Sequence, residues 1–130
     1  MSAIALLSAV VAISLGAAIG ALARWALTLW LGFGAMPWGT LAANLAGGYL
    51  IGLVVASLAL LPDISPVWRL ALVTGFLGGL TTFSSFSIEV VTMLMEGRLG
   101  IALATAASHV CGSLVLTWLG VRTVHAFTAA

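Results

Sequence analysis

Long runs without charge constrain this chain more than any other feature of its sequence. Only seven side chains carry formal charge, four Arg and three Asp or Glu, and the 130 residues include no Lys. At 5% charged and 63% hydrophobic, against about 25% charged in an ordinary soluble domain, such a chain cannot clothe an apolar core in water. Its mean hydropathy of +1.30 means that most of the surface also faces an apolar medium, so the sequence reads as an all-α membrane protein. A disordered chain, a secreted disulfide scaffold and a basic nucleic-acid binder are excluded by the same figures, because the net charge is +1 and the single thiol is Cys111.

A hydrocarbon core of roughly 30 Å takes about 20 helical residues to cross, so the chain has room for four spans. Its punctuation agrees. Gly32, Gly34 and Pro37 form one break, Pro62, Asp63 and Pro66 a second, and Glu96, Gly97, Arg98 and Gly100 a third. These breaks predict transmembrane helices over 3–31, 38–61, 67–95 and 101–126, within a single domain of residues 1–130. Membrane β-strands would need alternating polarity, and these runs are apolar on every face. No basic segment precedes the first run, and its apolar stretch continues past any small-residue cleavage site, so it reads as a retained helix.

Orientation follows the Arg and Lys near the span ends. Arg69 and Arg122 lie towards the side of the termini and second loop, and Arg24 and Arg98 towards the side of the first and third loops. This two-against-two balance predicts insertion both ways and an antiparallel, dual-topology homodimer. An uneven weight for Arg24, inside a span, is the alternative that would fix one topology. Gly16/Gly20, Gly48/Gly52 and Gly75/Gly79 each put two glycines on one helix face, where backbones can approach closely. They read as a pairing surface, with packing inside one subunit as the alternative use of each motif.

The third span carries the chemistry. Three glycines at 75, 78 and 79, followed by Thr81 and Thr82, predict a helix broken near its middle. Irregular backbone at that depth is tolerated only where protein or a water-filled cavity surrounds it, and its freed carbonyls suit a small hard cation. Thr81, Thr82, Ser84, Ser85 and Ser87 then interleave with Phe83 and Phe86, which are three apart and share a face. Thr82, Ser85 and Glu89 fall on a neighbouring polar stripe. Hydroxyls can replace an ion's hydration shell stepwise, and ring edges carry the positive end of the aromatic quadrupole, so they can meet an anion without trapping it.

By depth, Asn44 in the second span and Ser108 and His109 in the fourth lie within one or two turns of Phe86. Asn44 offers an amide donor suited to an anion, or else an interhelical hydrogen bond. Thr40 sits one turn away on the same face. Glu89 is the carboxylate clearly within a span and a functional candidate by default, with Arg24 as its natural counterpart unless that residue snorkels to the interface. His109 reads as a neutral imidazole bonded to a neighbouring helix in preference to a proton relay.

The segment Gly-Phe-Leu-Gly-Gly-Leu-Thr-Thr-Phe-Ser-Ser-Phe-Ser-Ile-Glu, 75–89, closely resembles the CrcB/Fluc family of bacterial fluoride channels. Residues 39–52, Gly-Thr-Leu-Ala-Ala-Asn-Leu-Ala-Gly-Gly-Tyr-Leu-Ile-Gly, resemble that family's second-helix signature, and Arg24-Trp25 its first-helix end. The likeness covers essentially the whole chain. It implies a multi-pass protein of the bacterial cytoplasmic (inner) membrane: a dual-topology homodimer with two fluoride pathways that exports fluoride from the cytoplasm. By the same resemblance Phe83 and Phe86 line the pores, Asn44 faces fluoride, and Thr40, Ser84, Ser85 and Glu89 belong to the polar path. Gly78 and Thr81 match positions whose carbonyls hold a structural sodium ion, Na+, on the dimer axis. Ser85 departs from the family's usual Thr. His109 stands where Asn is expected, which leaves the fourth-helix positions Ser108, His109 and Ser113 less firmly placed.

A small multidrug-resistance-type proton-coupled antiporter also has four spans, but its chemistry needs a carboxylate in the first span, and none is there. A structural subunit without transport would leave the Asn, Phe and hydroxyl constellation without a purpose. The Ser and His residues lack an oriented nucleophile motif and a third group, so no enzyme is expected.

Overall fold

The computed structural model describes residues 2–32 and 34–128, all helix and connection. Helix α1 (Ala3–Leu31) starts where the Ser2 hydroxyl accepts the Ala5 N–H at 3.2 Å. It stops at Gly32, whose φ of 69° suits a residue without Cβ. Helix α2 is Trp38–Ala59. Helix α3, 66–80, opens with Ser65 as cap and Pro66 in its first turn, continues through wide π-type turns over Leu70–Leu77 and closes with Gly78–Leu80. Helix α4 is Phe83–Met95, and α5 is Leu99–Thr128 after a turn in which Gly97 takes φ 72°.

Four spans long and apolar enough to cross a bilayer result: Ala3–Leu31, Trp38–Ala59, Pro66–Met95, which joins α3 to α4, and Leu99–Thr128. Their ends fall within two residues of those expected from the punctuation. The chain is a multi-pass membrane protein. Its outer surface is apolar, and Trp25, Trp30, Trp38, Trp68 and Trp118 are all exposed there, as residues that anchor helices at membrane interfaces are. The core is small: Ala43, Leu77 and Leu80 are buried, flanked by Leu50, Ile51, Val54 and Phe76.

The helices pack as two close pairs, α1 on α3 and α2 on α5, and glycines make both possible. A Cβ on Gly20 would strike the Phe76 carbonyl, and one on Gly75 would lie 2.8 Å from the Ile13 carbonyl. A Cβ on Gly52 would strike the Thr117 carbonyl, and one on Gly48 would come 2.9 Å from that of Ser113. The three glycine motifs therefore serve close approach inside the subunit, which corrects their reading as a surface for pairing two copies. The signal is the same for either use, because small residues permit backbone contact whichever chain supplies the partner.

The third span is broken, as the sequence suggests, but at Thr81 and Thr82 instead of the glycines. Gly78 keeps φ −64° and ψ −35°, whereas Thr81 (φ −85°, ψ 155°) and Thr82 (φ −151°, ψ 127°) are extended. Gly75 and Gly79 face α1 at distances that leave no room for a Cβ, whereas Gly78 has open space beside it. The β-branched threonines accept extended backbone readily.

Arg24 is also placed differently from its expected role beside Glu89. Its Nε donates to the Gly79 carbonyl at 3.3 Å, the group that Phe83 N–H would occupy in an unbroken helix. A cation at the C-terminal end of a half-helix meets the negative pole of its dipole. The first and third loops are tied on one side by Arg98, whose guanidinium donates to Glu96 at 2.9 Å and to the Ala35 carbonyl at 2.8 Å.

Candidate functional site

Where α3 gives way to α4, the N–H of the extended Thr82 has lost its helical acceptor; Asn44 of α2 supplies one and also donates to the Thr82 carbonyl. The Thr82 N–H donates to Asn44 Oδ1 at 2.8 Å, and Asn44 Nδ2 donates to the Thr82 carbonyl at 2.9 Å. One side-chain amide thus pairs with one peptide as a neighbouring strand would. The second hydrogen of Nδ2 points to Nδ1 of His109 on α5 at 3.0 Å. Three spans meet at this knot. The Thr82 hydroxyl caps α4 by accepting the Ser85 N–H at 3.1 Å, and lies 3.2 Å from the hydroxyls of both Ser84 and Ser85.

Beside the knot opens a groove of about 480 Å³, whose lining includes Asn44, Gly78, Thr81, Phe83, Phe86, His109 and Ser113. Phe83 and Phe86 meet edge to face, with centroids 5.4 Å apart and planes at 63°. Phe86 is buried and packs on the His109 ring at 4.7 Å, whereas Phe83 is 75% exposed at the groove. Thr81 closes its own turn by donating to the Leu77 carbonyl at 2.8 Å, and its methyl group sits on Gly47.

Towards the first and third loops a smaller cavity of about 230 Å³ is lined by Pro37, Glu89, Thr92, Glu96 and Arg98, among others. The buried Thr40 hydroxyl donates to Glu89 Oε1 at 2.6 Å, and Oε2 has no hydrogen-bond partner among the described residues. Groove and cavity thus lie on the two sides of the Phe86–Glu89 turn of α4.

The structure brings together most of the residues singled out from the sequence: Asn44, Phe83, Phe86 and His109 in the groove, Ser84 and Ser85 at its cap, and Thr40 with Glu89 below. His109 meets a neighbouring helix through its Nδ1, 3.0 Å from Asn44 Nδ2. Ser113 lines the groove, its hydroxyl 3.5 Å from the Asn44 carbonyl. Ser108, half-buried on α5, is outside the linings of both cavities and makes no side-chain hydrogen bond among the described residues. Sequence reasoning misses the pairing of Asn44 with the Thr82 peptide and that of Arg24 with Gly79. The one available signal for both is the break itself, which frees backbone groups that buried polar side chains must then satisfy.

Residues 11–121 match the family model described as CrcB-like protein, Camphor Resistance (CrcB). The chain belongs to the CrcB family. It is 70% identical over 121 residues to the fluoride-specific ion channel FluC of Variovorax paradoxus (strain S110), covering 92% of this chain and 97% of that one. With the fluoride-specific ion channel FluC of Albidiferax ferrireducens it shares 61% identity over 119 residues, 91% of this chain and 92% of the relative. With that of Pseudomonas aeruginosa (strain UCBPP-PA14) it shares 58% over 113 residues, 85% and 89% of the two chains. This CrcB-family chain is thus similar along nearly its full length to proteins named as ion channels.

Proposed function

We propose that the chain is a passive, fluoride-selective channel of the bacterial inner membrane that exports fluoride from the cytoplasm. The observation that carries the reading is the groove at the helix break: two edge-to-face phenyl rings beside an amide, an imidazole and hydroxyls, with no Arg or Lys in its lining. Such a lining can replace the hydration shell of a small anion and still release it, because no charged side chain holds the ion. The path runs by Asn44, Phe83 and Phe86 to Ser84, Ser85, Thr40 and Glu89. The names of the relatives support fluoride as the ion. An antiporter of the small multidrug-resistance type has no support, since α1 contains no carboxylate.

The working unit in this reading is an antiparallel homodimer with two pathways. Its sodium would lie between Gly78 and Thr81 of the two copies. The residues fit such an ion: both line the groove, Thr81 is extended, and around Gly78 the nearest atom to an added Cβ is the Val73 carbonyl at 3.8 Å. Backbone oxygens are the ligands a hard cation takes. When bound, the ion supplies a fixed positive charge at the break.

The deciding experiment is fluoride release from liposomes carrying the purified protein, with chloride as control. Fluoride efflux without chloride efflux is the expected result, and no fluoride flux or equal chloride flux would overturn the reading. Phe83→Ile and Phe86→Ile are expected to suppress that flux while size-exclusion profiles stay unchanged. Wild-type flux in both variants would remove the rings from the pathway.

A further inference from the structure

One buried polar atom of a groove-lining side chain has no partner among the described residues, and the bonds around the ring fix what it is. A peptide N–H can only donate, so the Asn44 atom 2.8 Å from Thr82 N is the amide oxygen. The amide nitrogen therefore faces the Thr82 carbonyl at 2.9 Å and His109 Nδ1 at 3.0 Å, and spends one hydrogen on each. Nδ1 accepts, so it carries no proton, and the neutral ring bears its hydrogen on Nε2. That atom is buried and without a hydrogen-bond partner among the described residues, in a residue only 4% exposed. Buried N–H groups are almost always satisfied, by protein, water or a bound species. Here the ring packs on Phe86 and lines the groove.

We propose that the Nε2–H of His109 is the donor that receives the anion in this chain, and that Asn44 is a positioning residue that locks the imidazole in the required tautomer. The proposal rests on the fluoride-channel reading and divides the labour within it. Both Asn44 hydrogens are already engaged, so an anion could take one only by breaking the pairing with Thr82 or with His109. The His109 donor requires no bond to be broken, only that its buried ring edge be uncovered to the groove. A neutral imidazole N–H offers partial charge only, which suits a site that must also let the ion go. Among the described residues no hydrogen bond or ion pair joins Glu89 to His109, so the carboxylate does not occupy this donor. The edges of Phe86 and Phe83 supply the remaining positive potential beside the ring.

Two substitutions separate the two ring nitrogens. His109→Asn leaves an acceptor near the Nδ1 position for Asn44 and removes the Nε2 donor. His109→Gln places an amide N–H near the Nε2 position and gives up the Nδ1 acceptor. In the liposome assay His109→Asn is expected to lose fluoride flux by about tenfold or more, the factor that one hydrogen bond to a charged group supplies. His109→Gln is expected to retain several-fold more flux than His109→Asn. The reverse order would make His109 a mere anchor for Asn44 and overturn the proposal, as would equal flux in the two variants.

A second measurement uses the unsubstituted groove. In ¹⁵N-histidine-labelled protein carrying His125→Gln, the one remaining imidazole is expected to be neutral, protonated at Nε2, and to shift its Nε2 resonance on addition of fluoride but not chloride. A proton on Nδ1, or a resonance indifferent to fluoride, would overturn the proposal. Absence of fluoride flux in the wild-type protein would instead sink the channel reading itself.

Discussion

Thr40 and Asn44 stand one turn apart on α2, and each spends its side chain on a different part of the interrupted third span. Asn44 holds the break through Thr82, and Thr40 holds the carboxyl of Glu89. The Thr40 bond, at 2.6 Å, is of the length seen for hydroxyls on carboxylates. Thr40→Val keeps the side chain's shape and deletes its hydrogen, so it is expected to cost about 1.5–3 kcal/mol. Thr40→Ser should keep most of that stability. Thermal unfolding in detergent checks this, and a Thr40→Val protein as stable as Thr40→Ser would show the bond to be idle. That Asn44 and Glu89 matter is legible in the sequence, because a buried amide or carboxyl cannot stand alone in a membrane helix. Their partners are not. The Thr82 peptide becomes available only once the helix has opened, and Arg24 leaves Glu89 for the Gly79 carbonyl for the same reason.

At the scale of elements, hydropathy and Gly/Pro punctuation suffice for the spans, since burying backbone in lipid forces helices of one minimum length. They do not suffice for the break. Thr81 and Thr82 open because Asn44 and Arg24, from two other helices, take over groups the helix would otherwise satisfy, while Gly75 and Gly79, still helical, let α1 approach. This makes the glycines separable by experiment. An added methyl group in a helix gains about 0.5–1 kcal/mol by propensity, but overpacking costs about 1–3 kcal/mol. At Gly20 the obstruction is the Phe76 carbonyl, which is backbone and cannot turn aside. Gly20→Ala is therefore expected to destabilise the protein. At Gly100 nothing lies within 4 Å of the new Cβ, and Gly100→Ala should be neutral or stabilising. Equal unfolding temperatures for the two variants would contradict the intrachain close approach of α1 and α3.

For the whole molecule, the placement of charge bears on the antiparallel pair proposed above. Arg24 does not sit at a span end but is drawn to the Gly79 carbonyl, so its weight in setting orientation is reduced. Arg98 on one side then faces Arg69 and Arg122 on the other, an excess of a single Arg that a small change can cancel or enlarge. Leu61→Lys with Asp63→Lys adds positive charge to the second loop, and Gly34→Lys with Ala35→Lys adds it to the first, on the opposite side. Each pair should lock one orientation, read by labelling the termini from each face of the membrane. If two inverted copies are needed to close the open groove around Phe83 and to bring Gly78 and Thr81 of both chains together, either locked form alone should lose fluoride flux, and co-expression of the two should restore it. A locked form that conducts by itself at the wild-type level would exclude the antiparallel pair. It would also require the groove to be closed by a parallel partner or by the chain alone.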